Sequence, residues 1–206
     1  MCAGKRVPET AAVILAAGGS TRMTLGHKLL LPVRGKPMIA FVVDQVLAAE
    51  FNPVVMVTGH NGPALQAALQ ARPVEVTANR RWRDGLASSL ICGLKALPPD
   101  AAGALFFLAD MPQVDSGLLA ALKELFVREG GRSIVYPTYH GQQANPVIFP
   151  RRFFKEVMDL KGDRGAQSVL HRHASEAVAL PVDSPAVLAD CDTDEDYSNL
   201  QTSMEE

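Results

Sequence analysis

A short stretch near the start of the chain combines a glycine-rich loop with two cations. Residues 13–17 are apolar, residues 18–20 read Gly-Gly-Ser, and Arg22 and Lys28 come shortly after them. An apolar run that ends in glycine is typical of a buried strand feeding a turn. Backbone N–H groups in such a loop can bind an anion, and the two cations can neutralise its charge. The stretch therefore predicts a phosphate site, the alternative being an ordinary strand-to-helix turn with charged residues on its surface.

A second candidate site follows an apolar run in the middle of the chain. Residues 104–109 are all apolar, and Asp110 comes directly after them. Ligands of open α/β sheets bind outside the carboxyl ends of the strands, and a carboxylate is costly to bury there without a partner. Because Mg²⁺ prefers one or two carboxylates together with substrate phosphates, we predict that Asp110 binds Mg²⁺, with Mn²⁺ as the alternative ion. The competing interpretation, a helix cap, suits Asp115 better, since apolar residues follow it at helical spacing.

A cluster of acids near the C-terminus has two explanations. Residues 194–196 are all acidic and are accounted for as the start of a helix, where acids favour the helix dipole. Thr193 can form a capping pair with Asp196. Asp190 and Asp192 precede this cap and follow an apolar run that reads as a strand. They are therefore candidates for a second metal-binding carboxylate, and we favour Asp192.

Two common phosphate-binding motifs are excluded by spacing. A Walker A loop has a glycine, four further residues and then Gly-Lys-Ser/Thr, and residues 26–28, Gly-His-Lys, do not supply this ending. The dinucleotide fingerprint G-x-G-x-x-G is not matched at residues 18–19 either.

The composition is typical of a single soluble globular domain. The 206 residues are 48% hydrophobic and 20% charged, which is enough to build one core. We expect one domain over residues 11–200, between an N-terminal tail at 1–10 and a C-terminal tail at 201–206. No apolar run approaches the roughly 18 residues of a membrane span. The net charge of −2 argues against a nucleic-acid-binding protein. Three widely separated cysteines and the lack of a secretory signal favour the cytoplasm.

The elements that must position the candidate residues alternate between strands and helices. Apolar runs predict strands that end near Ala17, Gly59 and Asp110, and helical periodicity predicts helices between them. This alternation indicates a doubly wound α/β fold with a mostly parallel sheet. Thr58 and Gly59 end the second strand, and Trp82 is interpreted as a packing residue.

The first block resembles a known signature. Leu15, Ala16, Ala17, Gly18, Ser20, Arg22, Met23 and Lys28 match L-A-A-G-x-S-x-R-M-G-x-x-K, the signature of the MobA-like nucleotidyltransferases that include molybdenum cofactor cytidylyltransferases and guanylyltransferases. The later segments L-A-D-M-P, N-x₅-G-x₃-S, Asn-Pro, Gly-Asp and D-T-D-E-D-Y also match. The chain departs from the pattern in having Thr24 and Leu25 before Gly26, and in having Ala109, Ala144 and Gln167 in place of two glycines and an arginine.

The resemblance implies a fold, an activity and a set of site residues. The fold is a Rossmann-like α/β domain of the nucleotide-diphospho-sugar transferase type. The implied activity is transfer of a nucleoside monophosphate to a molybdopterin-type acceptor. Implied as catalytic are Arg22, Lys28 and Asp110, and as metal ligands Asp110 and Asp192. Implied as nucleotide-binding are Leu15, Ala16, Ala17, Gly18, Gly19, Ser20, Lys28, Thr58, Gly59, Asn79, Gly85 and Ser89. Asn79 and Ser89 fit a structural role equally well. Implied as acceptor-binding are Asn145, Pro146, Gly162 and Asp163.

The partners follow from the same resemblance. We expect a nucleoside triphosphate, with CTP favoured over GTP because Ala17 stands where the guanylyl branch carries glycine. An apo-molybdoenzyme or an insertion chaperone is the expected protein partner, and no nucleic acid or membrane is expected. Two alternatives remain open: a nucleotidyltransferase that acts on a sugar phosphate, and a non-catalytic carrier of the molybdenum cofactor.

Overall fold

The computed structural model describes residues 9–20 and 22–205. The strands are β1 Thr10–Ala16, β2 Pro32–Val33, β3 Lys36–Pro37, β4 Val54–Thr58, β5 Glu75–Ala78, β6 Gly103–Leu108, β7 Ile134–Tyr139, β8 Gln142–Gln143, β9 Val147–Pro150 and β10 Ala177–Val182. The α-helices are α1 Met38–Ala48, α2 Gly62–Leu69, α3 Leu86–Ala96, α4 Ser116–Arg128, α5 Phe154–Met158, α6 Gln167–Arg172 and α7 Asp194–Glu205. None of the helices in these ranges is long and apolar enough to cross a bilayer.

The main sheet confirms the predicted mostly parallel α/β architecture. Its strands lie in the order β10-β7-β9-β6-β1-β4-β5, with β8 paired to β7. The central strand β1 is parallel to both β4 and β6, and β5 is parallel to β4. Only β8 and β9 run antiparallel to their neighbours in this sheet. Strands β2 and β3 form a separate two-stranded hairpin.

The core lies on both faces of this sheet. Side chains alternate along a strand, so Ala12 and Ile14 of β1 face one side, and Ala11 and Val13 face the other. The first side is covered by α1, α2 and α4, and the second by α3, α5 and α6. Helices on both faces are what allow the inner strands to be apolar throughout. The doubly wound arrangement is thereby confirmed.

The chain ends differ from the predicted tails. Strand β1 begins at Thr10, which is buried and pairs with Gly103 of β6, so this residue belongs to the sheet. At the other end α7 continues through residues 201–205, because Leu200 is buried and Gln201 Nε2 donates to the Pro32 carbonyl at 2.6 Å. Residues 1–8 of the predicted N-terminal tail lie outside the described residues, as does Glu206. The single-domain division stays a prediction.

Two elements of the second half were not foreseen. The apolar run before Asp190 forms the 3-10 turn Pro185–Leu188 and not a strand. Strand β10 closes the edge of the sheet, parallel to β7.

His173, which follows α6, is a half-buried histidine bonded to two glutamates. Its two ring nitrogens lie 2.9 Å from carboxylate oxygens of Glu176 and Glu156. These hydrogen bonds, first that of Glu176, raise the pKa of His173 above its ordinary value. They lower the pKa of both glutamates.

Candidate active site

The carboxyl ends of β1 and β6 form one side of a cavity of about 320 Å³. Because these strands are parallel neighbours, the loop after β1 and the residues after β6 emerge at the same edge of the sheet. The backbone N–H of Ala109 donates to the carbonyl of Leu15 at 3.1 Å, which brings Asp110 beside the loop. The cavity is lined by Leu15, Ala16, Gly18, Gly19, Ser20, Arg22, Lys28, Leu29, Ala109, Asp110 and Asp192.

Lys28 is the centre of this cavity's charge arrangement. Its Nζ lies 2.5 Å from Asp110 Oδ2 and 2.6 Å from Asp192 Oδ1, and its side chain is only 9% exposed. Burial alone would lower the pKa of Lys28, but the charges and hydrogen bonds of the two carboxylates outweigh burial and raise the pKa above its ordinary value. Lys28 is therefore a buried cation held between two acids.

Asp192 reaches the cavity because the C-terminal segment is bonded to the end of β6. The backbone N–H of Cys191 donates to the carbonyl of Asp110 at 2.8 Å. Asp196 Oδ2 then accepts the backbone N–H groups of Asp192 and Thr193, at 3.0 and 2.8 Å. The backbone N–H of Asp196 donates back to Thr193 Oγ1 at 3.1 Å, so the predicted capping pair is confirmed.

The loop that carries Arg22 is fastened to the start of α7. Arg22 forms an ion pair with Asp192 Oδ2, although its side chain is 67% exposed. The backbone N–H of Thr24 lies 3.2 Å from both carboxylate oxygens of Asp194, and the Thr24 hydroxyl also donates to this carboxylate. The backbone N–H of Leu25 completes the contact at 3.5 Å. Thr24 and Leu25, which depart from the signature, are thus accommodated by Asp194.

The glycine loop itself leaves open space in the cavity. A Cβ atom built on Gly18 would meet no protein atom within 4 Å. Packing therefore does not require glycine here, whereas a ligand in the cavity would benefit from the missing side chain. Ser20 adopts a left-handed φ of 51°, and its Oγ accepts the backbone N–H of Lys28 at 3.2 Å. This bond fixes the two ends of the loop relative to each other.

The two carboxylates fit a divalent cation of the magnesium type. Asp110 Oδ1 is buried and has no hydrogen-bond partner within residues 9–20 and 22–205. Such an unpaired buried oxygen is costly unless something binds it. In the same described part of the chain, no group of three or more His, Cys, Asp or Glu side chains could hold a metal ion. Asp110 and Asp192 would supply two ligands, and Mg²⁺ ordinarily takes the others from water and phosphates.

Besides Ala17, five of the residues implied as nucleotide-binding lie outside this cavity, and these five have structural contacts. A Cβ on Gly59 would lie 2.6 Å from Trp82 Cβ, so glycine is needed for Trp82 to pack there. Asn79 is buried, and its Nδ2 donates to the hydroxyls of Ser88 and Ser89, at 2.8 and 3.0 Å. The remaining residues of this kind are Thr58, which is buried at the end of β4, and Gly85.

Gly85 is instead fitted against the implied acceptor loop. It has a left-handed φ of 97°, and a Cβ there would lie 2.4 Å from the Gly162 carbonyl carbon and 2.6 Å from Asp163 Oδ1. The backbone N–H of Ala87 donates to the Gly162 carbonyl at 3.0 Å. The start of α3 and residues 162–163 therefore form one packed unit.

A second cavity, of about 220 Å³, contains part of the implied acceptor site. Its lining residues are Leu15, Leu86, Leu90, Phe106, Leu108, Asn145, Val147, Asp163, Gly165, Ala166 and Gln167. Leu15 also lines the first cavity, so the two cavities share a wall. Gly162 lines a third cavity, of about 440 Å³, together with Asn79. Pro146 lines none of these three cavities.

Sequence reasoning missed the apolar wall of the second cavity. Leu86 and Leu90 had the helical spacing of a core stripe, and Phe106 belonged to a uniformly apolar strand. Nothing in that spacing distinguishes a side chain that lines a cavity from one that fills the core. Asp194 was assigned to the helix N-terminus alone, although it also holds Thr24.

Comparison with known proteins identifies the family. The sequence profile of the MobA-like NTP transferase domain matches residues 12–186. The chain belongs to this family. The purine catabolism protein PucB of Bacillus subtilis is 30% identical over 212 residues, which cover 97% of this chain and 99% of PucB. The bifunctional protein GlmU of Syntrophotalea carbinolica is 40% identical over 105 residues, or 50% of this chain. The chain spans 22% of the length of that GlmU and 34% of GlmU from Sinorhizobium medicae.

Several solved structures share the fold over nearly the whole chain. Rv0371c from Mycobacterium tuberculosis superimposes with a TM-score of 0.83 at 28% identity, covering 95% of this chain and 98% of that protein. The same protein has also been solved in complex with manganese. That structure superimposes with a TM-score of 0.76 at 29% identity, covering 95% of this chain and 99% of Rv0371c. A nucleotidyl transferase from Methanothermobacter thermautotrophicus superimposes with a TM-score of 0.83 over 96% of this chain and 98% of its own. Its sequence identity is 21%, so this similarity supports the fold alone.

Proposed function

We propose that this MobA-like chain transfers CMP from CTP to the phosphate of a molybdopterin-type acceptor and releases pyrophosphate. The observation that carries the proposal is Lys28, held between Asp110 and Asp192 on the wall of a cavity that the glycine loop completes. A cation and two acids at the carboxyl ends of parallel strands suit a site for a metal-bound triphosphate.

The reaction needs alignment and charge neutralisation more than covalent chemistry. An oxygen of the acceptor phosphate attacks the α-phosphorus of CTP, the bond from that phosphorus to the bridging oxygen breaks, and pyrophosphate leaves with the electron pair. Lys28 and Arg22 would stabilise the charge that develops on the phosphates. Asp110 and Asp192 would hold Mg²⁺, whose chemistry here is neutralisation of phosphate charge. The open space at Gly18 would admit the triphosphate.

The second cavity supports an acceptor with a flat, partly apolar body. Most of its walls are leucine, valine and phenylalanine side chains, and its polar side chains are limited to Asn145, Asp163 and Gln167. A pterin offers apolar ring faces and a few edge groups for hydrogen bonding, which matches this lining. A sugar phosphate presents hydroxyl groups on every side, and these would lose water against the apolar walls without a compensating hydrogen bond.

The preference for CTP depends on the resemblance. Ala17 is buried and does not line the cavity, and its carbonyl accepts the backbone N–H of His60 at 3.3 Å. The methyl group of Ala17 would affect the choice of base by changing the position of the neighbouring glycine loop. Discrimination by one methyl is worth about 1–3 kcal/mol, so we expect at least about a tenfold preference for CTP over GTP in kcat/KM.

One screen tests the proposal. Pyrophosphate release is measured with each of the four nucleoside triphosphates, in the presence of Mg²⁺, against molybdopterin and against a set of sugar phosphates. The expected result is release only with molybdopterin, and fastest with CTP, with the cytidylylated product identified by mass. Turnover of a sugar phosphate at comparable rates would assign the chain to the sugar-nucleotide branch. Binding of molybdopterin without pyrophosphate release would indicate a carrier, and either result contradicts the proposal.

A further inference from the structure

The ammonium group of Lys28 is bonded to both carboxylates that would hold a metal ion. It contacts Asp110 Oδ2 and Asp192 Oδ1 at 2.5 and 2.6 Å, so one oxygen of each carboxylate is already bonded to a cation. Mg²⁺ binds such oxygens at about 2 Å and tolerates little distortion. A cation already bonded to both oxygens therefore competes directly with a divalent ion for the same carboxylates.

The competition is strong because the ammonium is buried. The exposed fractions of the side chains are 9% for Lys28, 20% for Asp110 and 21% for Asp192, so water screens these pairs weakly. Removing Lys28 would leave Asp110 without this counter-charge and Asp192 with only its ion pair to the exposed Arg22, which is unfavourable. Lys28 therefore leaves the acids readily only when another cation replaces it and another anion receives it.

The backbone geometry allows the side chain to move while its origin stays fixed. The backbone N–H of Lys28 donates to Ser20 Oγ at 3.2 Å, and its carbonyl accepts the N–H of Leu31 at 3.1 Å. The flexible four-carbon stem can redirect the ammonium without disturbing these bonds. The same cavity is lined by Gly18 and Gly19, so a triphosphate seated against the loop lies within the reach of the lysine.

We propose that Lys28 is an internal counter-ion that exchanges partners: it neutralises Asp110 and Asp192 until nucleotide phosphates accept its charge and free both carboxylates for a divalent cation. This inference rests on the proposed function, because it takes the phosphates of the donor nucleotide as the second partner. Its consequence is positive coupling, in which metal binds weakly alone and tightly together with the nucleotide. A ligand that favours one arrangement of the lysine shifts the population toward it.

Direct metal binding without nucleotide tests the exchange. Mn²⁺ is titrated into wild type and Lys28→Met, and free Mn²⁺ is followed by electron paramagnetic resonance. Lys28→Met should bind Mn²⁺ at least about tenfold more tightly than wild type, within the range of about 5- to 150-fold typical of coupling between sites. Lys28→Arg, which keeps the charge, should bind as weakly as wild type.

The matched control is Lys36→Met. It removes the same charge from a lysine whose side chain is 52% exposed and which pairs with Asp44 at 2.7 Å. Its Mn²⁺ affinity should equal that of wild type, which separates local competition from a general effect of net charge. Adding Asp110→Asn to Lys28→Met should abolish the gain, because one of the two carboxylates is then lost.

Two results overturn the inference. One is a Lys28→Met affinity equal to or weaker than that of wild type, and another is a gain that survives Asp110→Asn. If circular dichroism shows that Lys28→Met does not fold, Lys28→Gln takes its place, since its amide can still donate to one carboxylate. The proposed function fails by a different result, the absence of pyrophosphate release by wild type, so the two failures are distinguishable.

Discussion

Gly18→Ala is expected to impair the nucleotide site without harming the fold. The added Cβ meets no protein atom within 4 Å, and Gly18 does not have a left-handed φ. Replacing such a glycine by alanine commonly stabilises a protein by about 0.4–1 kcal/mol, because the unfolded chain loses freedom. The melting temperature should therefore stay the same or rise slightly.

The cost should appear in catalysis because the methyl group enters the cavity that we assign to the triphosphate. One misplaced methyl group in a binding pocket is worth about 1–3 kcal/mol, which corresponds to roughly a 10- to 200-fold loss in kcat/KM. The loss should be measured by pyrophosphate release at varied CTP concentration, with melting followed by circular dichroism on the same preparations.

Gly93→Ala in α3 provides the matched control. There the Cβ would lie 2.3 Å from Val13 Cγ1 and 3.0 Å from Val57 Cγ2, and both valines belong to central strands that cannot easily shift. Overpacking costs about 1–3 kcal/mol, offset in part by about 1 kcal/mol of helix propensity. At about 2–4 °C per kcal/mol the melting temperature should fall, while kcat/KM per folded molecule stays unchanged. Wild-type kinetics in Gly18→Ala, or a stability loss like that of Gly93→Ala, would refute the reasoning.

The remaining predictions concern charged groups. Asp110→Asn is nearly isosteric and should abolish turnover at saturating Mg²⁺ while the circular dichroism spectrum is retained. Asp192→Asn should give a smaller loss of turnover or a weaker Mg²⁺ dependence. Unchanged turnover in either variant would remove that residue from the mechanism. Lys28→Ala and Arg22→Ala should each cost more than about 2 kcal/mol in kcat/KM, and a loss of thermal stability alone would mean that they are structural. His173→Ala should lower the melting temperature most between about pH 4.5 and 6.5, the ordinary pKa values of its glutamate partners and of histidine itself. Because the pKa of His173 is raised in the folded state, protonated His173 contributes its full stabilisation below the ordinary histidine pKa. This stabilisation is lost as pH rises through the folded-state pKa. Because the pKa values of Glu156 and Glu176 are lowered in the folded state, the stabilisation by the two ionised glutamates is lost as the solution is acidified through those values. A difference in melting temperature between the variant and wild type that is independent of pH would contradict the prediction.

The periodic part of the fold was predictable because it depends on local sequence. The apolar runs before Gly18 and Asp110 became β1 and β6, and Asp115 caps α4 by accepting the Leu118 N–H at 2.8 Å. Strand β10 was missed because its side chains are half-buried or exposed, without a fully buried position. The run before Asp190 was misread because Pro185 begins a 3-10 turn there, and apolar character alone does not distinguish such a turn from a short strand.

Within the site, residues were predictable where one segment determines their position. Lys28 and Asp110 follow the ends of adjacent parallel strands, and strand ends meet at one edge of such a sheet. Asn79 and Ser89 were ambiguous because a polar side chain that binds a base and one that bonds within the fold look the same in sequence. Only the hydrogen bonds from Asn79 Nδ2 to Ser88 and Ser89 show what these residues do for the fold.

The arrangement of Lys28 illustrates what no local pattern can supply. Asp192 is 164 positions away from Lys28 along the chain. The backbone hydrogen bond from the Cys191 N–H to the Asp110 carbonyl places Asp192 beside Lys28. Sequence could nominate Asp192 as a metal ligand, since it precedes the helix cap. It could not indicate that a lysine from the phosphate loop would be bonded to the same two carboxylates. That contact is why the order of binding matters: a cation built into the site must find a new anion before the acids can accept a metal ion.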